Sequence, residues 1–145
     1  MKARMSNPFL SVVTASWNRA DLLPRAYDSL CRQAEKDFEW IVVDDGSTDE
    51  TVSVVRKWAD TAEFAIHCFS QENAGKHVAL NHGISRANGE LVVMLDSDDC
   101  LESDALSTLK QLWLDTPVRI RGKLAGLCGL CRDREGNVMG SFFPD

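Results

Sequence analysis

The sequence predicts an α/β fold with a mainly parallel sheet covered by helices on both faces. Short β-rich apolar runs alternate with stretches of helical period, the pattern of consecutive right-handed βαβ units. Three of these runs end in polar clusters: Ser16-Trp17-Asn18-Arg19, Asp44-Asp45-Gly46-Ser47 and Asp96-Ser97-Asp98-Asp99. In a parallel sheet the C-terminal ends of the strands lie along one edge, so the three clusters can converge there.

Phe9 to Ala15 reads as the first strand. Ala20 to Ala34 follows as a helix with Leu22, Leu23, Ala26, Tyr27 and Leu30 on one face. Pro24 falls in its first turn, where the missing N–H has no helical partner to lose. Phe38 to Val43 is the second strand. Ser47-Thr48-Asp49-Glu50 has the form of a capping box, opening a helix that runs to about Ala59 with Val52, Val55 and Ala59 inward. Glu63 to Phe69 is the third strand. Asn73 to Asn88 is the third helix, in which Ala79, Gly83 and Ala87 form a small-residue stripe suited to close packing on a sheet. Leu91 to Leu95 reads as a buried fourth strand, and Ser103 to Leu114 as a helix with Ala105, Leu109, Leu112 and Trp113 on one side. After Pro117 the texture changes. Lys123 to Cys131 and Val138 to Phe143 read as a β-hairpin with its tip at residues 133–137. Residues 1–8 read as an N-terminal tail and 9–145 as a single domain.

Composition narrows the function. With 145 residues and 44% hydrophobic content the chain can bury one core. A net charge of -6 and a pI of about 5.0 argue against a nucleic-acid backbone or an anionic membrane as the main partner. No apolar run approaches the roughly 20 residues of a transmembrane helix. Met1 to Asn7 is polar and basic without an apolar centre, so the expected location is cytoplasmic, with room for association with the inner face of the membrane. Five cysteines, an odd number scattered through apolar patterns, read as reduced thiols. Cys128 and Cys131 form a lone C-x-x-C without the second pair that a structural zinc site needs.

The acidic cluster carries the chemistry. Asp96, Asp98 and Asp99 lie within four positions at the end of an apolar run. Like charges this close repel unless a cation joins them, and oxygen ligands suit a hard divalent metal. Acidic residues also favour a helix N-terminus, which accounts for Asp99 or Glu102 but does not require Asp96. Taken together, the three clusters supply an aromatic face, donors, acceptors, a cation and an acid pair, the parts that hold a nucleotide diphosphate. No G-x-G-x-x-G follows the first strand, and Gly75-Lys76 lacks the rest of a P-loop. A bound metal would then carry more of the diphosphate charge.

The order of these motifs resembles family 2 inverting glycosyltransferases of the GT-A fold. Ser11 to Arg19 is similar to that family's opening strand, usually V-I-I-P-T-Y-N-R. Asp37 to Thr51 matches its second block almost residue for residue. Asn73 to Lys76, followed by Ala79 to Ile84, resembles N-x-G…A-x-N-x-G-I. Ala87 to Asp99 matches the block that ends in D-x-D. The resemblance implies a Rossmann-like three-layer sandwich and metal-dependent transfer of a sugar, with inversion, from a nucleotide-diphosphate sugar, in polysaccharide or cell-envelope glycan synthesis. A UDP-sugar is favoured as donor, the acceptor is an unknown glycan or lipid-linked molecule, and Mn2+ and Mg2+ both suit the site. It implies that Trp17 stacks on the base, that the backbone near Ala15 and Ser16 bonds it, and that Asp44 accepts from its imide. Arg19 and Lys76 would lie near the phosphates. Asp96 and Asp98 would face the sugar-phosphate and the metal, with Asp98 the main ligand and Asp99 an alternative.

Two positions depart from the family pattern. Ala15 stands where Pro is usual and Trp17 where Tyr is usual. The general base that inversion requires falls in a later block of the family, beyond Asp145. His77 and His82 read as surface or packing residues. The chain is therefore expected to bind a nucleotide sugar but to transfer poorly by itself. Two other readings compete. One is a haloacid-dehalogenase-like phosphatase, on the strength of Val92 to Asp98. The other is a non-catalytic nucleotide-binding or assembly module, which could dimerise through Leu124–Cys131 and Phe142–Phe143.

Overall fold

A computed structural model describes residues 7–127, 129–133 and 135–139. Two compact units make up the chain, Met1–Gln111 and Leu112–Asp145.

The first unit is built on four parallel strands, β1 (Leu10–Ser16), β2 (Phe38–Asp44), β3 (Ala65–Ser70) and β4 (Leu91–Met94), in the order β3-β2-β1-β4. Helices α1 (Leu23–Cys31), α2 (Thr51–Thr61) and α3 (Lys76–Arg86) connect them. One face of the sheet presents Leu10, Val12, Trp40, Val42 and Ile66 to Leu23, Ala26 and Leu30 of α1 and Val55 of α2. Tyr27 stacks on Trp58 in that layer with ring centroids 4.4 Å apart, and Trp40 Nε1 donates to Thr14 Oγ1 at 2.9 Å, so the buried indole keeps its hydrogen bond. The other face presents Val13, Ile41 and Val43 to Ala79 of α3. Here the small-residue stripe acts as expected: a Cβ on Gly83 would lie 2.5 Å from Val13 Cγ1 and 3.2 Å from Val43 Cγ2.

The strands and the first three helices fall where the sequence places them, and Pro24 occupies the first turn of α1, but on α2 Ala59 is exposed rather than inward and Trp58 packs against the core. Three local expectations need correction. β4 is not buried on both faces. It pairs with β1 at the sheet edge, α3 lies over β1 and β2 instead, and Val92 and Met94 are exposed, Met94 by 65%. The capping box does not form. Helix α2 begins at Thr51 with no side-chain cap from Glu50, because the Ser47 hydroxyl is taken by Asn18. In α4 (Ala105–Asp115) the buried residue is Leu106, whose N–H donates to Gln33 Oε1, whereas Leu112 is exposed.

The second unit contains the end of α4, a one-turn helix α5 (Val118–Arg121) and the antiparallel pair β5 (Cys131–Arg132) and β6 (Val138–Met139). The hairpin is shorter than the sequence suggests. Among the described residues, Gly126 and Gly129 have open space around them, Leu124 and Leu130 are exposed, and the paired strand is only Cys131–Arg132. Its tip is as expected: Asp133 Oδ1 accepts from Glu135 N and Asn137 N, and Gly136 takes φ 87°. Residues 140–143 of the expected second strand, and Cys128 of the C-x-x-C, lie outside the described residues. Cys31, Cys68, Cys100 and Cys131 are free thiols. No described helix is long and apolar enough to cross a membrane.

Candidate functional site

The strand order fixes where a site can form. From β1 the chain steps to β2 and β3 on one side, then crosses to β4 on the other. The connections leaving β1 and β4 therefore diverge, and a crevice opens at their C-terminal ends. A groove of about 460 Å³ occupies that position. Ala15, Ser16, Trp17 and Arg19 line it from the end of β1, Asp96, Ser97 and Asp98 from the end of β4, Asp45 from the end of β2, and Asn73, Gly75 and Lys76 from the stretch that joins β3 to α3.

The β1 side is a pinned turn. Asn18 sits at φ 50°, a left-handed conformation that Asn tolerates. Its N–H donates to Ser47 Oγ at 2.8 Å, Arg19 N to Thr51 Oγ1 at 3.0 Å and Ala20 N to Asp49 Oδ2 at 3.1 Å. Asn18 Oδ1 returns the tie by accepting from Thr48 N. Burial works to raise the Asp49 pKa, but the bonds from Thr51 and Ala20 outweigh it and the net pull is down. With its backbone held this way, Trp17 stands 55% exposed over the groove and is not part of the core.

The second cluster divides its labour. Asp44 is buried, takes Ser47 N on Oδ2 at 3.2 Å and does not line the groove; its Oδ1 and the Ser16 hydroxyl, across the β1–β2 pair, are buried without a partner among the described residues. Asp45 does line it, although only 3% exposed. Its Oδ1 accepts from Gln71 Nε2 at 2.8 Å and Ala74 N at 2.9 Å, and its Oδ2 from Gly75 N at 2.8 Å. Burial alone would raise this pKa, yet the Ala74, Gln71 and Gly75 donors win and hold it below the usual carboxylate value. Gly46, at φ 79°, brings the loop closer still: a Cβ there would sit 2.9 Å from Asn73 N.

The third cluster offers charge. One carboxylate oxygen each from Asp96, Asp98 and Asp99 lies within 4.8 Å of the others. Lys76, the first residue of α3, places Nζ 2.7 Å from Asp96 Oδ2. An all-carboxylate donor set of this spread suits one hard divalent cation such as Mg2+ or Mn2+ and would not select a soft metal.

A family model described as glycosyl transferase family 2 matches residues 11–120. The chain belongs to glycosyltransferase family 2. It is 38% identical over 138 residues to a GalNAc(5)-diNAcBac-PP-undecaprenol beta-1,3-glucosyltransferase of Campylobacter jejuni, covering 93% of this chain and 42% of that protein. Among solved structures it resembles the mannosyltransferase PcManGT from Pyrobaculum calidifontis in complex with GDP-Man and Mn2+, with TM-score 0.68, 32% identity, and coverage of 78% of this chain and 34% of that one. It also resembles S. aureus TarS 1-349 in complex with UDP, with TM-score 0.66, 29% identity, and coverage of 73% and 32%. The fold is GT-A, and the chain spans about two fifths or less of the length of these relatives.

Most of the family 2 site residues expected from the sequence do meet in one groove: Ala15, Ser16, Trp17, Arg19, Lys76, Asp96 and Asp98 all line it. Asp99 stands beside it in the acidic trio. Neither His77 nor His82 lines it. The residues that sequence reasoning passed over are Asp45, Asn73, Gly75 and Ser97. Two adjacent aspartates at a strand end alternate in direction, and the pattern alone does not say which of them faces the groove.

Proposed function

We propose that this chain is the donor-binding part of an inverting, metal-dependent glycosyltransferase that takes a nucleotide-diphosphate sugar, with UDP-sugars favoured, in glycan or cell-envelope synthesis. The observation that carries the reading is the groove at the switch point. It places an exposed indole, a hydrogen-bonded carboxylate, two cations and the Asp96–Asp98 acid pair within one cavity, with Asp99 beside it. The complexes of TarS with UDP and of PcManGT with GDP-Man and Mn2+ support a nucleoside diphosphate and a divalent cation as occupants.

In this reading Trp17 stacks on the base, and the backbone at Ala15 and Ser16 bonds its edge. Asp45, which lines the groove, takes the imide-accepting role that the sequence resemblance assigns to Asp44. Arg19 and Lys76 attract the phosphates. Asp98, Asp96 and Asp99 would hold the cation, which when bound supplies positive charge as the nucleoside diphosphate leaves. This reading commits Asp45, Asp96 and Asp98 to binding and gives none of them the role of the base that deprotonates the acceptor hydroxyl.

Titration calorimetry of UDP and GDP with and without Mn2+ tests the proposal, with Asp98→Ala alongside. Metal-dependent binding that disappears in the variant is the expected result. Nucleotide binding indifferent to both metal and Asp98 would overturn the metal assignment, and no binding at all would overturn the donor-site reading.

A further inference from the structure

Behind the groove, His82 Nδ1 lies 3.0 Å from Gln71 Oε1. The direction of every hydrogen bond in this chain is set from the Asp45 end. Asp45 is held as a carboxylate, so it only accepts. Gln71 must then turn Nε2 to Asp45, which leaves Oε1 toward His82. An acceptor at that place requires the proton on His82 Nδ1. The ring itself is held by packing, tilted 41° to Phe69 with centroids 5.7 Å apart. His82 thus presents a fixed N–H on a side chain that never reaches the groove.

We propose that His82 and Gln71 are positioning residues for the nucleotide half of the site, an inference that rests on the donor-binding reading above. His82 sets the Gln71 amide, and the amide sets the Asp45 carboxylate. Asp45 in turn holds the Ala74–Gly75 backbone, from which Lys76 starts α3 toward Asp96. Oδ1 of Asp45 is filled by two donors, whereas Oδ2 has one and keeps an acceptor site for a ligand N–H. Without the His82 donor, Gln71 Oε1 loses its partner and the amide is held at one end only, so it can swing away from Asp45 Oδ1. With that contact loosened, the loop and the open acceptor site lose their aim together.

The test uses the 145-residue chain, with UDP and GDP each titrated in the presence of Mn2+, and Mn2+ titrated alone. His82→Phe keeps a ring against Phe69 and removes the donor. His82→Asn returns an amide N–H near the place of Nδ1. The expected result is an affinity loss of about five- to tenfold for the nucleoside diphosphate in His82→Phe, the worth of one hydrogen bond, with recovery in His82→Asn. Mn2+ alone should bind His82→Phe and His82→Asn no more weakly than wild type, because the acid trio is untouched. Gln71→Leu should match His82→Phe. Nitrogen-15 spectra of the wild-type chain should show His82 protonated on Nδ1. Unchanged nucleotide affinity in His82→Phe, an equal loss in both His82 variants, or a proton on Nε2 overturns the relay alone. A wild-type chain that binds neither UDP nor GDP overturns the donor-site reading and the relay with it.

Discussion

Lys76 Nζ and Asp96 Oδ2 stand 2.7 Å apart, joining the first turn of α3 to the loop that leaves β4. The two side chains are 60% and 43% exposed, so their mutual attraction is worth no more than about 1 kcal/mol. The pair's importance lies in its place. Lys76 neutralises one member of the acid trio proposed to hold a divalent cation, and the same ammonium faces the cavity where phosphates would lie. A metal and a phosphate arriving together can each take one partner of the ion pair. Either arriving alone must break it without replacing both halves.

Lys76→Ala should therefore shift two affinities in opposite directions. Mn2+ alone should bind the variant about two- to fivefold more tightly, since the competing ammonium is gone and the surface pair it replaces is weak. UDP in the presence of Mn2+ should bind more weakly by a similar factor, through loss of a phosphate contact. Calorimetry in two titrations reads both. If the two affinities move in the same direction, Lys76 does not link the acid trio to the phosphates.

The sequence showed most of this site because its parts are local. A polar cluster at the end of each apolar run places Trp17, Arg19, Asp96 and Asp98 on one sheet edge once the strands are parallel, and the structure gathers them in one groove. The strand order, which makes that edge a crevice, comes from the non-local crossing from β3 to β4, and alternation patterns do not encode it. Asp44 and Asp45 show a second limit. Both are acidic, Asp44 closes β2 and Asp45 follows it, and the donors from Gln71, Ala74 and Gly75 hold Asp45 at the cavity. The Ser47–Glu50 box failed for a related reason. A long-range partner, the backbone of Asn18, took the hydroxyl that local pattern reserved for the helix. The buried reading of β4 failed because an apolar run of four or five residues looks the same in the middle of a sheet and at its edge.

Asp45→Asn should destabilise the chain by about 1–3 kcal/mol at neutral pH, because an amide NH2 would then confront the Gly75 N–H that the carboxylate accepts. The pH dependence follows from the direction of the shift. The folded-state pKa of Asp45 lies below its ordinary value, so the stabilisation is complete above that ordinary value of about 3.9 and is lost as pH falls through the folded one. Asp49 and Glu35, also shifted down, titrate alike in both chains and cancel in the difference. Urea unfolding of wild type and variant should show a gap that is widest near pH 7 and narrows below about pH 4. A gap that stays constant with pH would mean that the Asp45 charge is not what holds the loop.

Glu39 plays the corresponding part at the opposite edge of the sheet. It is nearly fully buried on β2, and its Oε1 accepts from Ser11 Oγ at 2.6 Å and Asn88 N at 2.8 Å, while Oε2 lies 3.2 Å from His67 Nε2. Ser11 Oγ then accepts from Gly89 N at 2.8 Å, and a Cβ on Gly89 would meet Ser11 N at 2.6 Å, so the turn into β4 lies directly on β1. Glu39→Gln can keep its carbonyl on Ser11 and Asn88 and place its NH2 against His67 Nε2, so it should cost about 1 kcal/mol. Glu39→Leu leaves the Ser11 hydroxyl and the Asn88 N–H without an acceptor and should cost about 2–4 kcal/mol. Because this cluster is remote from the groove, Mn2+ affinity of the folded fraction should be the same in both variants. Urea midpoints and a Mn2+ titration decide it: equal destabilisation by Gln and Leu would show that size, not hydrogen bonding, is what the position requires, and a change in Mn2+ affinity would show that the two edges of the sheet are coupled.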